Sequence, residues 1–94
     1  MSNKVGPQSE LLRFMHENNA TVVVALDDDG VPRLIGDAHE HLRVYEEHQY
    51  VGALRSMIGR QYVWFDPKRR QRTYHLTRFG TDAAVRLIAK QTAA

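Results

Sequence analysis

Gln61-Tyr62-Val63-Trp64-Phe65-Asp66-Pro67-Lys68-Arg69-Arg70-Gln71-Arg72-Thr73-Tyr74-His75-Leu76-Thr77 sets two runs rich in aromatic and β-branched residues on either side of a polar, basic centre. Such side chains fit the pleated surface of a strand, and Asp-Pro is a turn signal. The stretch predicts a β-hairpin, with strands over 61–65 and 73–77 and a protruding charged tip from Asp66 to Gln71. Alternation puts Val63 and Phe65 on one face and Tyr62 and Trp64 on the other, so one pair belongs to a core and the other to a rim or partner surface. Tyr62, Trp64, Phe65, Tyr74 and His75 could stack on unpaired bases, but cross-strand packing is the commoner use of aromatics in a two-stranded ribbon.

Outward from the hairpin the pattern turns helical. Phe79 to Ala89 reads as a closing helix, with Thr77 as N-cap and Phe79, Ala83, Leu87 and Ile88 on its apolar face. Upstream, residues 45–59 place Val51, Leu54, Met57 and Ile58 on one helical face, and Gly59 can end the helix. Asp37 is a good N-cap for a short helix to about Leu42. Val31 to Ile35 is extended, because proline pushes its predecessor out of the helical region. Residues 20–29 are expected to be helical and to stop at Asp27-Asp28-Asp29-Gly30. Against that reading, Thr21 to Leu26 is β-branched, and three acids at a helix C-terminus oppose the macrodipole. Ser9 can cap a first helix carrying Leu11, Leu12, Phe14 and Met15, which Asn18-Asn19 ends. Residues 1–7 are expected to be a flexible arm, 8–90 the domain and 91–94 a fraying tail.

The chain has 94 residues, 43% hydrophobic and 26% charged, with no cysteine. That is one folded domain with a modest core, and neither a disulfide framework nor a thiolate metal site is possible. The longest near-continuous apolar run, Ala20 to Leu26, is far short of a membrane span, and Met1-Ser2-Asn3-Lys4 opens no signal peptide. A cytoplasmic protein with no membrane partner is the expectation. The net charge of +2 hides a sorting. Residues 1–54 hold four basic and nine acidic side chains, a net of −5, whereas 55–78 hold seven basic and one acidic, a net of +6. A segment this one-sided suggests a surface that faces a polyanion, although a solvated loop is the plainer explanation.

Three segments carry a family resemblance. Tyr50-Val51-Gly52-Ala53-Leu54-Arg55-Ser56-Met57 resembles the recognition helix of bacterial and archaeal winged helix-turn-helix regulators. Gln61-Tyr62-Val63-Trp64 sits where that family begins its wing. Tyr74-His75-Leu76-Thr77-Arg78-Phe79-Gly80 is similar to the Tyr-x-Leu-Thr-x-x-Gly with which the wing's second strand turns into the last helix. More loosely, Ala25 to Gly30 resembles the end of the family's first helix, and Pro32 to Leu42 its second helix. The turn around Arg43 to Glu47 lacks glycine and carries two acids, which departs from the common pattern. The resemblance implies an α+β, mostly α, fold: a three-helix core, a two-stranded β-hairpin wing and a C-terminal helix. It also implies sequence-specific binding of double-stranded DNA by a small dimeric transcriptional regulator.

In such a fold the helix 45–59 enters the major groove. His48, Gln49, Gly52, Ala53, Arg55 and Ser56 are then the outward residues, with Gln49 able to pair with adenine, Arg55 with guanine or phosphate, and the small Gly52 and Ala53 allowing close approach. Arg60, Lys68, Arg69, Arg70 and Arg72 would follow the backbone or enter the minor groove. Glu46 and Glu47 would repel phosphates unless they read cytosine amino groups. The acidic N-terminal portion is expected to be turned away from the DNA. The apolar stripes of 9–18 and 79–90 would suit a homodimer. His39, His41 and His48, with Asp37, Glu40, Glu46 and Glu47, contain donors for a metal site, but surface histidines are the plainer reading. No phosphate loop, nucleophile elbow or His-Glu-x-x-His occurs, so the expectation is a binding protein rather than an enzyme, without cofactor. The alternative is a winged-helix interaction module, or an inhibitor of a nucleic-acid enzyme, that docks a protein through the aromatic hairpin.

Overall fold

In the computed structural model, which describes residues 6–92, the segment expected to end a helix at 29 is a strand. The elements run α1 (Pro7–Glu17), β1 (Val22–Leu26), β2 (Pro32–Ile35), α2 (Asp37–His41), α3 (Glu47–Gly59), β3 (Val63–Lys68), β4 (Gln71–Leu76) and α4 (Arg78–Thr92). The four strands form one antiparallel sheet in the order β2-β1-β4-β3. The architecture is thus α+β, as expected, but the sheet has four strands where a two-stranded hairpin was expected. β1 is central and hydrogen-bonded on both sides, which outweighs any helical preference of its alanine and leucine. Asp27 to Gly30 is then a hairpin turn. Gly30 takes φ +79°, and Asp27 Oδ1 accepts the N–H groups of Asp29 and Val31, both at 2.9 Å.

Register explains where the core sits. Val22 lies opposite Tyr74, and Val24 opposite both Leu34 and Arg72; across the hairpin, Phe65 faces Tyr74 and Val63 faces Leu76. These residues share one face, and on it Val22, Val24, Leu34, Val63 and Tyr74 are buried. Against them lie Leu11, Leu12, Phe14 and Met15 of α1 and Tyr50, Leu54 and Met57 of α3. Val23, Ala25, Ile35, Thr73 and His75 alternate with them, on the opposite face, and stay half-buried.

Several local expectations shift for identifiable reasons. α1 starts at Pro7 with Gly6 as N-cap, two residues before the expected Ser9 start, because proline suits the first turn of a helix. Of the expected arm, residues 1–5 lie outside the described residues. Asp37 is the first residue of α2 rather than its cap, and Gly36, at φ +73°, takes the capping position. Asp66 and Pro67 do not turn the chain. They extend β3 to Lys68, which an edge strand permits because an edge needs no N–H from proline. The turn is only Arg69 and Arg70, with Arg69 in the left-handed region at φ +47°. α4 continues to Thr92, so Gln91 and Thr92 are helical rather than tail.

Of the two apolar stripes that suggested a second copy of the chain, that of α1 is buried within the monomer, whereas that of α4 is covered only in part. α1 and α4 lie against each other, with Leu11, Leu12, Phe14 and Met15 of α1 already buried. α4 is also rotated relative to expectation: Gly80 and Ala84 are buried, while Phe79 is 60% exposed. The Tyr-x-Leu-Thr-x-x-Gly segment sets that rotation. Thr77 caps α4, its hydroxyl oxygen accepting the Gly80 N–H at 3.0 Å while its O–H donates to the Gln61 carbonyl. The Tyr62 carbonyl accepts the Thr77 N–H at 2.9 Å, and it occupies the space a Gly80 side chain would need.

Gly80→Ala would place its Cβ against that carbonyl and 2.9 Å from Leu76 Cδ2. Overpacking of this kind costs about 3 kcal/mol, because backbone rather than a flexible side-chain end must move. Urea unfolding should show a clearly lowered midpoint with unchanged slope; an unchanged midpoint would show that α4 does not depend on this close approach.

Candidate nucleic-acid interface

α3 owes its position to its first turn. The Gln49 side-chain oxygen accepts the Glu46 N–H at 2.9 Å, part of a capping box that starts the helix at Glu47 rather than Tyr45. Glu47 faces β2, where its carboxylate accepts the Leu34 N–H at 2.9 Å and pairs with Arg33 at 3.2 Å. Arg33 also pairs with Asp27 at 3.1 Å, so one guanidinium links the β1–β2 turn to the start of α3. Glu47 is therefore engaged structurally, and Gln49 would have to surrender its capping bond to read a base.

The buried face of α3 is Tyr50, Leu54 and Met57, with Val51 and Ile58 only half-buried where they were expected to face the core. Tyr50 is the residue the sequence reading missed. It is fully buried, its hydroxyl accepts the Tyr45 N–H at 3.3 Å, and burial pushes its pKa up. His48, Gln49, Gly52, Arg55 and Ser56 remain exposed, as expected, and so does Arg60 at the C-cap.

The hairpin brings the other expected residues alongside. Arg72 lies opposite Val24 and Pro67 on the helix-bearing face of the sheet, one row beyond Tyr74. Its guanidinium carbon is 5.0 Å from the centre of the Phe65 ring, a cation–π contact that holds the charge over an apolar surface. A cleft of about 230 Å³ opens at this end of the sheet. Arg55 of α3 and Arg69, Arg70 and Arg72 of the hairpin share its lining with Val24, Val51 and Tyr74. Among the described residues, no carboxylate forms an ion pair with Arg55, Arg60, Lys68, Arg69, Arg70 or Arg72. Four of the ten expected site residues thus meet at one cleft; His48, Gln49, Gly52, Ser56, Arg60 and Lys68 do not line it.

One expectation about charge is overturned. The acidic N-terminal portion is not wholly turned away, because the Asp27–Gly30 turn lies beside the basic tip. The Leu26 N–H donates to the Arg70 carbonyl at 2.9 Å, and the Arg70 guanidinium donates to the Asp27 carbonyl at 2.5 Å. The cause is the β1–β4 pairing, which a helix over 20–29 would not have made. Asp27 itself is neutralised locally. The Val31 N–H above all, with Arg33 and the Asp29 N–H, holds its pKa below the usual 3.8, against an opposing effect of burial.

The histidines do not gather into a ligand set: among the described residues, no three His, Asp or Glu side chains are placed to hold a metal ion. His41 Nδ1 lies 2.9 Å from the Asp37 carbonyl, and His39 is 3.9 Å from Glu47. The aromatics pair across strands, with Trp64 stacked on His75 at 4.2 Å and Phe65 tilted on Tyr74 at 5.6 Å. No helix is long and apolar enough to cross a membrane, among the described residues. The sequence matches no protein-family model and has no significant match among curated proteins.

Because the Asp27 carboxylate is more acidic in the folded chain than unfolded, its contribution is complete above pH 3.8 and fades as pH falls through the lower folded value. Asp27→Asn should unfold at a lower urea concentration than the parent at pH 7, and the gap should close in acid. Equal midpoints at pH 7, or a gap that persists undiminished in acid, would contradict the linkage.

Proposed function

We propose that the chain binds double-stranded DNA through the outer face of α3 and the β3–β4 hairpin, as a small regulator of the winged helix-turn-helix kind. The observation that carries the reading is the convergence of Arg55 with Arg69, Arg70 and Arg72 at one cleft, with no carboxylate pairing any of them among the described residues. Guanidiniums left without carboxylate partners on a protein that has acids elsewhere suit phosphate oxygens, which they bind bidentately. The exposed Gly52 and Ser56 lie on the same side of α3 as Arg55 and leave room for close approach to a groove. The order α2, α3, hairpin, α4 is the one that carries the family resemblance; the β1–β2 hairpin stands where the resemblance places the end of the first helix and the start of the second. The partly covered α4, with Phe79 and Val85 exposed, leaves an apolar surface that would suit a homodimer.

A second reading has its own observation. Trp64 is 52% exposed on the face of the sheet opposite the core, the face that also carries the half-buried His75, Thr73, Val23 and Ile35. That surface supports the alternative of a protein-interaction module, and it lies away from the arginine cleft. Trp64→Ala would abolish such docking while leaving DNA binding intact.

Binding of a labelled random duplex, followed by anisotropy against salt concentration, tests the main reading. Neutralising four phosphates gives a slope of log K on log salt of about −3.6, and replacing Arg69, Arg70 and Arg72 by alanine should flatten it by about 2.7. Asp28→Asn with Asp29→Asn should tighten binding at low salt, because both acids are exposed beside the tip. A slope near zero, or one that the triple substitution leaves unchanged, would overturn the proposal.

A further inference from the structure

We propose that the cleft between α3 and the β3–β4 hairpin is a binding site for a small organic anion: one ring, or an apolar group of similar size, bearing a carboxylate or phosphate. Three observations converge on that chemistry. The floor is apolar, with Val24, Leu26 and Val51 flanked by Pro32 and Pro67. Tyr74 lines the same cleft at 3% exposure, and its hydroxyl makes no hydrogen bond among the described residues. With no partner in the fold, that hydroxyl keeps contact with solvent, and at a cleft such a group is open to a ligand atom. The rim is Arg55, Arg69, Arg70 and Arg72, and no acidic side chain lines the cleft.

Guanidiniums donate and cannot accept, and the Tyr74 hydroxyl can donate alongside them, so the polar atom they jointly recognise is an anionic oxygen. Size narrows the class. A dry cavity of about 150 Å³ holds a benzene ring. The cleft's 230 Å³ adds room for one charged substituent and excludes a dinucleotide. Arg72, held over Phe65 at 5.0 Å, is already ordered beside the opening.

The cleft's capacity for a ligand stands on these contacts alone. Its regulatory consequence rests on the proposed DNA binding: the ligand would occupy Arg55 and the hairpin arginines that phosphates would use, so the two should compete.

The test is a titration of the ¹⁵N-labelled full chain with phenyl phosphate, with inorganic phosphate and benzyl alcohol as the two half-ligands. Phenyl phosphate should give saturable shifts of the Val24, Val51 and Tyr74 amides and bind more tightly than either half-ligand. Tyr74→Phe, which keeps the ring in the core, should weaken it about tenfold, and Arg72→Gln should weaken it as well. Shifts confined to 68–72, equal binding of inorganic phosphate, or no effect of Tyr74→Phe would overturn the site. Duplex binding measured on the same samples separates the two proposals. Duplex binding without phenyl phosphate saturation rejects the cleft and leaves the DNA reading, and saturation without duplex binding does the reverse. Where both bind, phenyl phosphate should displace the duplex; simultaneous occupancy would refute the competition.

Discussion

The pairing of β1 with β4 is the constraint on which the rest of the molecule depends. It joins residues about fifty positions apart in sequence, with Val22 opposite Tyr74 and Val24 opposite Arg72, and so turns two local hairpins into one sheet. Only a continuous sheet presents Val22, Val24, Leu34, Val63 and Tyr74 on a single face wide enough for α1 and α3 to cover. In a small domain, a core assembled across such a pairing brings non-local closure cost before it brings burial. The capped start of α3 and the Thr77 cap of α4 reduce that cost locally, because each orients its helix through bonds made close by in sequence.

The same register decides the electrostatics. Arg72 shares a face with Tyr74 but lies one row further along, where the strands run past the buried core. The guanidinium therefore rests on Phe65 beside Arg55 rather than in the interior. Leu26 meets Arg70 in the next row, which brings Asp27, Asp28 and Asp29 to the edge of the basic tip. Arg33 neutralises Asp27 and Glu47, leaving the two exposed acids of the turn as the local counterweight to the arginines. The surface is consequently more finely balanced than a count of charges along the chain implies.

How far this was legible in the sequence depended on whether the deciding physics was local. The aromatic hairpin, the Thr77 cap, the short strand at Pro32–Ile35 and the existence of the later helices follow from propensities and spacing, and all form, although the hairpin's strands run on to Lys68 and start again at Gln71 rather than leaving 66–71 as a tip. β1 was misread because a five-residue apolar run has no periodicity of its own; only its partners on both sides make it a strand. The burial of Tyr50 and the exposure of Phe79 depend on helix rotation, set by the contact of Glu47 with Leu34 and by the approach of Gly80 to the Tyr62 carbonyl. The basic residues of the candidate site could be picked from the sequence. Their meeting at one cleft, and the unpartnered hydroxyl of Tyr74 within it, could not, because both follow from the β1–β4 register.

The central claim is that α3 and the hairpin act as one surface towards a duplex. Amide shift mapping of the full chain with a short random duplex tests it most directly. The account predicts simultaneous perturbation of residues 48–56 and 68–72, with Val23, Thr73 and His75 on the opposite face of the sheet unaffected. Perturbation centred on Trp64 and His75, or restricted to one of the two elements, would contradict it.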